Sequence, residues 1–219
     1  MTLNIEDMLI YRDGLILALN KPAGIPVHKG SGPITPLETY FDSIQFGLPD
    51  TPKLAHRLDK DTSGCLILGR NKRGLRDMGN LFENNQVQKE YIAIVEGRVD
   101  QDNFRIIAKI APLSNHKSRW WVKICEETGK EAITDVEVIK RFENHTFVRL
   151  KPHTGRTHQL RIHMQHIGHS IIGDKIYGKS GSYLMLHCQK MAFKLYKNKD
   201  PLIIEAPIPS HFTEFEATL

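Results

Sequence analysis

Cysteine is scarce in this 219-residue chain: Cys65, Cys125 and Cys188 are an odd number, widely spaced, and form no C-x-x-C pair. Neither a disulfide framework nor a cysteine zinc cluster is indicated, and a reducing cytoplasm fits best. Long apolar runs are missing too. The cleanest, such as Leu15 to Leu19, fall far short of the roughly 20 residues that a membrane helix requires. The start of the chain carries Glu6 and Asp7 where a signal peptide would be basic, so no export signal is read. Internal repeats, low-complexity stretches and a Pro/Gly/Ser linker are absent as well. One domain over residues 1–219 is therefore the expectation.

What is present is ordinary globular composition, 40% apolar, 25% charged and 8% aromatic. At this length roughly 70% of the unfolded surface can be buried, enough for a core without staples. The net charge is +5, and it is unevenly spread. Residues 151–200 hold nine Lys and Arg against two Asp, so the remainder of the chain sums to −2. A polyanion partner follows from that asymmetry, with the basic face built largely from the last third. The competing reading of the same charge is a solvated lysine-rich surface.

Residues 8–19 read as two short strands around Asp13-Gly14, a dipeptide suited to a hairpin turn. Strand-like runs follow at 65–68, 91–95, 104–110, 120–124, 133–139 and 146–150, several alternating as one buried sheet face demands. Helical spacing links Leu75, Met78 and Phe82, and again Leu160, Met164 and Ile167. The second helix has Thr157 placed as an N-cap and Gly168 as a C-cap. Many strands, few helices and hairpin-length gaps predict an α+β fold, a mainly antiparallel mixed sheet flanked by helices.

Two segments are dense in chemistry. Residues 56–64, His-Arg-Leu-Asp-Lys-Asp-Thr-Ser-Gly, form a polar loop ahead of an apolar run. On spacing alone Asp59 and Asp61 are either a working carboxylate pair or surface turn residues. Residues 154–174 carry His158, His163, His166 and His169, which invite a zinc reading. No H-E-x-x-H is present, so no metal is expected; these histidines line a polar cleft, touch phosphate, or pack in the core.

His56-Arg57-Leu58-Asp59 with Thr62-Ser63-Gly64 resembles the H-R-L-D-x-x-T-S-G signature of the large RNA pseudouridine synthase family typified by the bacterial ribosomal large-subunit synthase A. Asn20-Lys21-Pro22-Ala23-Gly24, Lys89-Glu90-Tyr91, Gly155-Arg156-Thr157-His158-Gln159-Leu160-Arg161-Ile162-His163 and Leu186-His187 resemble further family segments in the same order. The resemblance implies the pseudouridine synthase catalytic fold. It also implies an isomerase that detaches uracil from its ribose, turns it and rejoins it through C5, with no cofactor, metal or energy source. Asp59 would be the catalytic carboxylate, Arg161 its counter-ion, and Tyr91 the tyrosine lying against the uracil. Arg57 would enter the RNA where the flipped nucleotide leaves. His56 and Thr62 would organise the loop beside the substrate, and Arg156, His158, Gln159 and His163 would contact RNA.

Relatives often carry a small RNA-binding domain ahead of the catalytic one. Here the Asn-Lys-Pro segment begins at residue 20, so a bare catalytic domain, monomeric and cytoplasmic, acting on ribosomal or transfer RNA stem-loops is expected. Residues 114–121, with His116, Lys117, Arg119, Trp120 and Trp121, are either an RNA reader or a strand with core tryptophans. Two other classes compete. A non-catalytic RNA-binding or RNA-chaperone protein would have no need of a carboxylate facing an anionic ligand. A metal-dependent nuclease or hydrolase would need a carboxylate or histidine cluster that the sequence does not assemble.

Overall fold

In a computed structural model, which describes residues 4–29, 33–113 and 121–217, the chain divides into two compact units. The first contains residues 1–87 and 188–208, the second residues 88–187 and 209–219.

In the first unit, β1 (Leu9–Arg12) and β2 (Ile16–Lys21) form the expected hairpin. Asp13 builds its turn, its carboxylate accepting from the N–H groups of Leu15 and Ile16. After the two-residue β3 (Lys53–Leu54), β4 (Ser63–Gly69) pairs antiparallel with β2. β10 (Leu186–Phe193), which the division cuts between His187 and Cys188, lies next to β4 and carries β11 (Leu202–Glu205). β4 is buried at every position and β2 at all but one, which is why both read as continuous apolar runs without alternation. Helix α1 (Lys72–Glu83) is N-capped by Asn71, whose side chain accepts from Gly74 N–H, and buries Met78 as expected.

The second unit is a meander whose strand order is β5 (Gln88–Glu96), β9 (His145–Pro152), β8 (Lys130–Arg141), β6 (Asn103–Pro112) and β7 (Val122–Ile124). Neighbours in this order pair antiparallel. Ala132, Thr134 and Val136 are buried while their neighbours are not, the period of two that the sequence displays. Helix α2 (Gln159–His166) contributes Leu160 and Met164 to one apolar cluster, which also holds Phe212 of α3 (Ser210–Glu216), and Ile162 to another, with Ile110, Val122 and Ala132.

Two sequence expectations are corrected. His158, not Thr157, caps α2, and it does so in the left-handed region (φ 51°) without a side-chain bond to the helix. The strand expected from residue 120 begins at Val122. The proposed reader lies outside the described residues except for Trp121, which is 42% exposed and therefore not a core tryptophan.

Candidate functional site

Each unit supplies one polar constellation. In the first, the loop between β3 and β4 is anchored through its backbone. The His56 imidazole replaces a carbonyl in the strand ladder: its Nε2 accepts from Ile67 N–H at 2.9 Å, so its proton is on Nδ1. Its ring also lies on Phe82, 4.5 Å between centroids. Thr62 N–H donates to Asp59 O, closing a turn over residues 59–62. Thr62 is buried, and so is Leu58, whereas Arg57 and Lys60 are exposed and Asp59 is partly buried.

Lys21 ties this turn to the Lys21-Pro22-Ala23-Gly24 segment. Its side chain is fully buried, and Nζ donates to Pro22 O at 2.8 Å and to Ile25 O and Lys60 O at 2.9 Å each. Gly24 N–H donates to the same Lys60 carbonyl. An ammonium has three protons, and three carbonyls receive them. Burial pulls the Lys21 pKa down to about 7, while Asp61 and then Asp59 hold it up. Sequence reasoning missed this residue. The available signal was a lysine ending an apolar strand and followed at once by Pro-Ala-Gly.

The second constellation is α2 and the loops flanking it. Six consecutive residues, Gln159 to Met164, are buried, so the polar ones among them need internal partners. Gln159 Nε2 donates to Ile133 O and Thr134 Oγ1, and its Oε1 accepts from Thr154 Oγ1 and Arg156 N–H. The Arg161 guanidinium grips Asp174 through Nε and Nη2, both at 2.7 Å. Asp174 also accepts from the N–H groups of Ile176 and Tyr177. Burial works against its ionisation, yet Arg161 and these backbone donors keep its pKa below the ordinary carboxylate value. His163 Nδ1 meets Thr134 Oγ1 at 3.0 Å, and burial followed by His166 pulls its pKa down to about 4.

Gln159 and His163, expected to touch RNA, are buried in this structure, with the Gln159 amide bonded within the fold and His163 Nδ1 at Thr134 Oγ1. Thr62, in the first unit, is buried as well. Arg156 remains exposed, its Nε donating to Glu131 O, and His158 is half-buried with Nδ1 at 2.9 Å from the Tyr177 hydroxyl. Tyr91, on β5 and in register with Leu150, packs against the larger apolar cluster. Lys89 Nζ lies beside Gly155, 3.9 Å from where a Cβ would stand, so the Lys-Glu-Tyr segment adjoins the start of the Gly-Arg-Thr-His segment.

The late histidines separate: His158 goes to Tyr177, His163 to Thr134, and His169 to the carbonyl of Glu96. Among the described residues no three His, Cys, Asp or Glu side chains converge as metal ligands do.

Comparison with known proteins places these constellations in a family. Residues 15–166 match the family described as RNA pseudouridylate synthase. An uncharacterised RNA pseudouridine synthase of Zymomonas mobilis is 36% identical over 211 residues, 94% of this chain and 95% of that one. A ribosomal large subunit pseudouridine synthase C of Buchnera aphidicola is 33% identical over 99% of this chain and 72% of its own length. A synthase D of Borreliella burgdorferi is 34% identical over 97% and 68%. Among solved structures, human RNA pseudouridylate synthase domain containing 1 has a TM-score of 0.76 at 24% identity, covering 95% of this chain and 86% of that one. Human RNA pseudouridylate synthase domain containing 4 has a TM-score of 0.78 at 22% identity, covering 95% and 91%. The matched span contains the Asp59 turn, the Tyr91 strand and all of α2, and the relatives align over almost the whole chain: it belongs to the RNA pseudouridylate synthase family.

Proposed function

We propose that this isomerase converts uridines in unpaired loops of large-subunit ribosomal RNA to pseudouridine in the cytoplasm, working as one catalytic domain with Asp59 as its reacting carboxylate. The observation that carries the reading is the construction of the Asp59 turn. A buried lysine, a backbone turn and an imidazole inserted into a strand ladder fix the loop that bears the Asp59 carboxylate. Rigid support around an acidic side chain is what positioned chemistry needs and what a phosphate-binding surface would avoid.

The overall change is an isomerisation. The N1–C1′ bond of uridine breaks, the uracil turns, a C5–C1′ bond forms, C5 gives up its proton, and N1 gains one. A base in a stack cannot undergo this, so the nucleotide is extruded at a cost of a few kcal/mol. Arg57, exposed on the Asp59 loop, is assigned to the vacated space. Tyr91 is assigned to the face of the uracil, and Arg161 to orientation of the Asp59 carboxylate. Arg161 is itself aimed by Asp174, a residue the sequence reading did not select. The ribosomal target follows the names of the synthase C and D relatives, which favour that substrate over transfer RNA.

Pseudouridine mapping at single-nucleotide resolution in total RNA, from cells with and without the gene, tests the assignment. Loss of modification at defined ribosomal positions, restored by the wild-type gene and not by Asp59→Asn, is expected. Loss confined to transfer RNA would overturn the substrate, and an unchanged map would overturn the reading.

A further inference from the structure

Residues 194–200, between β10 and β11, read Lys-Leu-Tyr-Lys-Asn-Lys-Asp. They belong to none of the segments that carried the family resemblance and lie beyond the matched span of 15–166. Lys194, Leu195 and Lys197 line one side of an open cavity of about 670 Å³, and Leu81 and Gln86, from the end of α1 and the turn after it, line the other. All five residues lie in the first unit. The two leucines are half-buried and the two lysines and Gln86 exposed, so the cavity has an apolar floor and a polar, cationic rim.

The lysine loop is mounted on the fold. Tyr196 turns inward, and its hydroxyl donates to Asp13 Oδ2 at 2.6 Å. That carboxylate is itself held by the N–H groups of Leu15 and Ile16 and by the Tyr11 hydroxyl. Lys199 lies over the Tyr196 ring, 4.9 Å from Nζ to centroid. Arg73, about two turns before Leu81 on α1, is within electrostatic reach of the Tyr196 phenol.

Charge here is unbalanced. Residues 72–83 and 194–200 together hold six Lys and Arg against three Asp and Glu, and one of those acids, Asp77, is taken up by Arg73 and Arg76. Lys190, on the strand before the loop, pairs with Glu205 at 3.2 Å, but among the described residues no carboxylate pairs with Lys194 or Lys197. The last turn of α1 also leads to the reacting loop. Leu81 precedes Phe82, whose ring lies 4.5 Å from that of His56, three residues before Asp59.

We propose that this cavity is a second RNA-binding site, taking a nucleotide of the target strand other than the flipped uridine: its phosphate on Lys194 and Lys197, its ribose and base over Leu81 and Leu195, and the Gln86 amide at the base edge. A nucleotide joins an anion to an apolar, hydrogen-bonding body, which is the combination the rim and floor supply, and the volume lies within the range of about 300–1,000 Å³ usual for such ligands. The site rests on the reading of the chain as an RNA-modifying enzyme.

The test uses the full chain and an RNA fragment bearing a uridine mapped as its target. Modification of that RNA by the wild type is measured first, and its absence would end both the parent reading and this site. Where it is present, the double variant Lys194→Gln, Lys197→Gln should raise KM about tenfold with kcat within about threefold, and should reduce the log-log salt slope of binding by about 0.7 to 1.4, for one or two phosphates neutralised. Gln86→Glu keeps the shape and both lysines but sets an anion at the rim, so KM should rise by a similar factor. All three side chains are exposed, and unchanged thermal midpoints should show that the fold is intact. Lys53→Gln, at an exposed lysine of the same unit on β3, should move neither KM nor slope. Equal losses there would reduce Lys194 and Lys197 to diffuse attraction and overturn the site. With 4-thiouridine placed at single positions of the RNA, a crosslink to residues 194–197 is expected from a position other than the target. Wild-type KM and slope in the double variant and in Gln86→Glu, or crosslinks that all avoid the lysine loop, overturn the site while the parent reading stands, and would leave the cavity to an acidic protein segment instead.

Discussion

Asp59 belongs to a turn whose backbone is tied by Thr62 N–H at the Asp59 carbonyl and by Lys21 Nζ at the Lys60 carbonyl. Asp59→Asn should lower turnover at least about 10³-fold while leaving RNA affinity within a few fold, as expected when an essential reacting group is removed. Asp61→Asn, two positions along, should cost less than about tenfold, and comparable losses in the two variants would remove Asp59 from its assigned role. Lys21 makes a different prediction. Replacing it with Met strands three carbonyls but also removes a buried charge, and the unpaired acceptors dominate, destabilising the protein by about 2–4 kcal/mol at neutral pH. Because the folded pKa is about 7, below the unfolded lysine value near 10.4, the unfolded chain binds more protons between those limits. The burden of the buried ammonium is complete below pH 7 and is relieved as the pH rises toward 10. The stability gap between wild type and Lys21→Met, measured by urea unfolding, should therefore widen from pH 6.5 to 9.5. A gap that narrows would mean that the carbonyl cage and the two aspartates keep the ammonium charged.

At the scale of elements, two glycines separate close approach from mere helix composition. Gly64 starts β4 at φ 108°, and a Cβ there would lie 2.2 Å from the Cys188 carbonyl oxygen in β10. Gly79 is inside α1 with nothing near its missing Cβ. Gly64→Ala should lower the thermal midpoint sharply and take activity with it, because it separates β4 from β10 directly behind the Asp59 loop. Gly79→Ala should stabilise by about 0.5–1 kcal/mol. Differential scanning calorimetry of both variants checks the pair, and a tolerant Gly64→Ala would show that β4 and β10 can shift apart cheaply.

The same scale shows what the sequence makes legible. β8 announced itself because only one of its faces is buried, so Ala132, Thr134 and Val136 are buried while Ile133, Asp135 and Glu137 beside them are only partly so. β10 was not read as a strand, since Leu186–Phe193 is mostly buried and mixes His, Gln and Lys into its run. α3 is seven residues long, too short to display a helical period. For α2 the stripe of Leu160, Met164 and Ile167 was visible, but it suggested one buried face where the first six residues, Gln159 to Met164, are all buried. Whether a polar helix residue faces RNA or a core partner depends on what the rest of the chain brings to it. Thr134 and Asp174 lie 25 and 13 residues from the residues they hold, Gln159 and Arg161, beyond the reach of any local pattern. The sequence lists the motif residues; it does not show which of them are buried against core partners.

Across the whole molecule, formal charge overstates what RNA can meet. The nine cations of residues 151–200 were expected to form one face, and the segment contributes to both compact units. Four of the nine are engaged by carboxylates: Lys151 by Glu137, Arg161 by Asp174, Lys179 by Glu96 and Lys190 by Glu205. A cation already paired releases few counterions when a phosphate arrives, because the phosphate must first displace its carboxylate. Binding should still weaken with salt, with a log-log slope of about 0.7 for each single-strand phosphate neutralised. The slope should reflect cations such as Arg156 more than the formal total. Arg156→Gln should reduce it by about 0.7, whereas Arg105→Gln, which removes a β6 cation clamped to Asp135 of β8, should leave it unchanged. Fluorescence anisotropy of a labelled ribosomal RNA fragment, titrated at several potassium chloride concentrations, measures all three slopes. Equal reductions in the two variants would show that RNA pulls paired cations out of their carboxylates, and a flat response in the wild type would end the case for a charge-driven RNA surface.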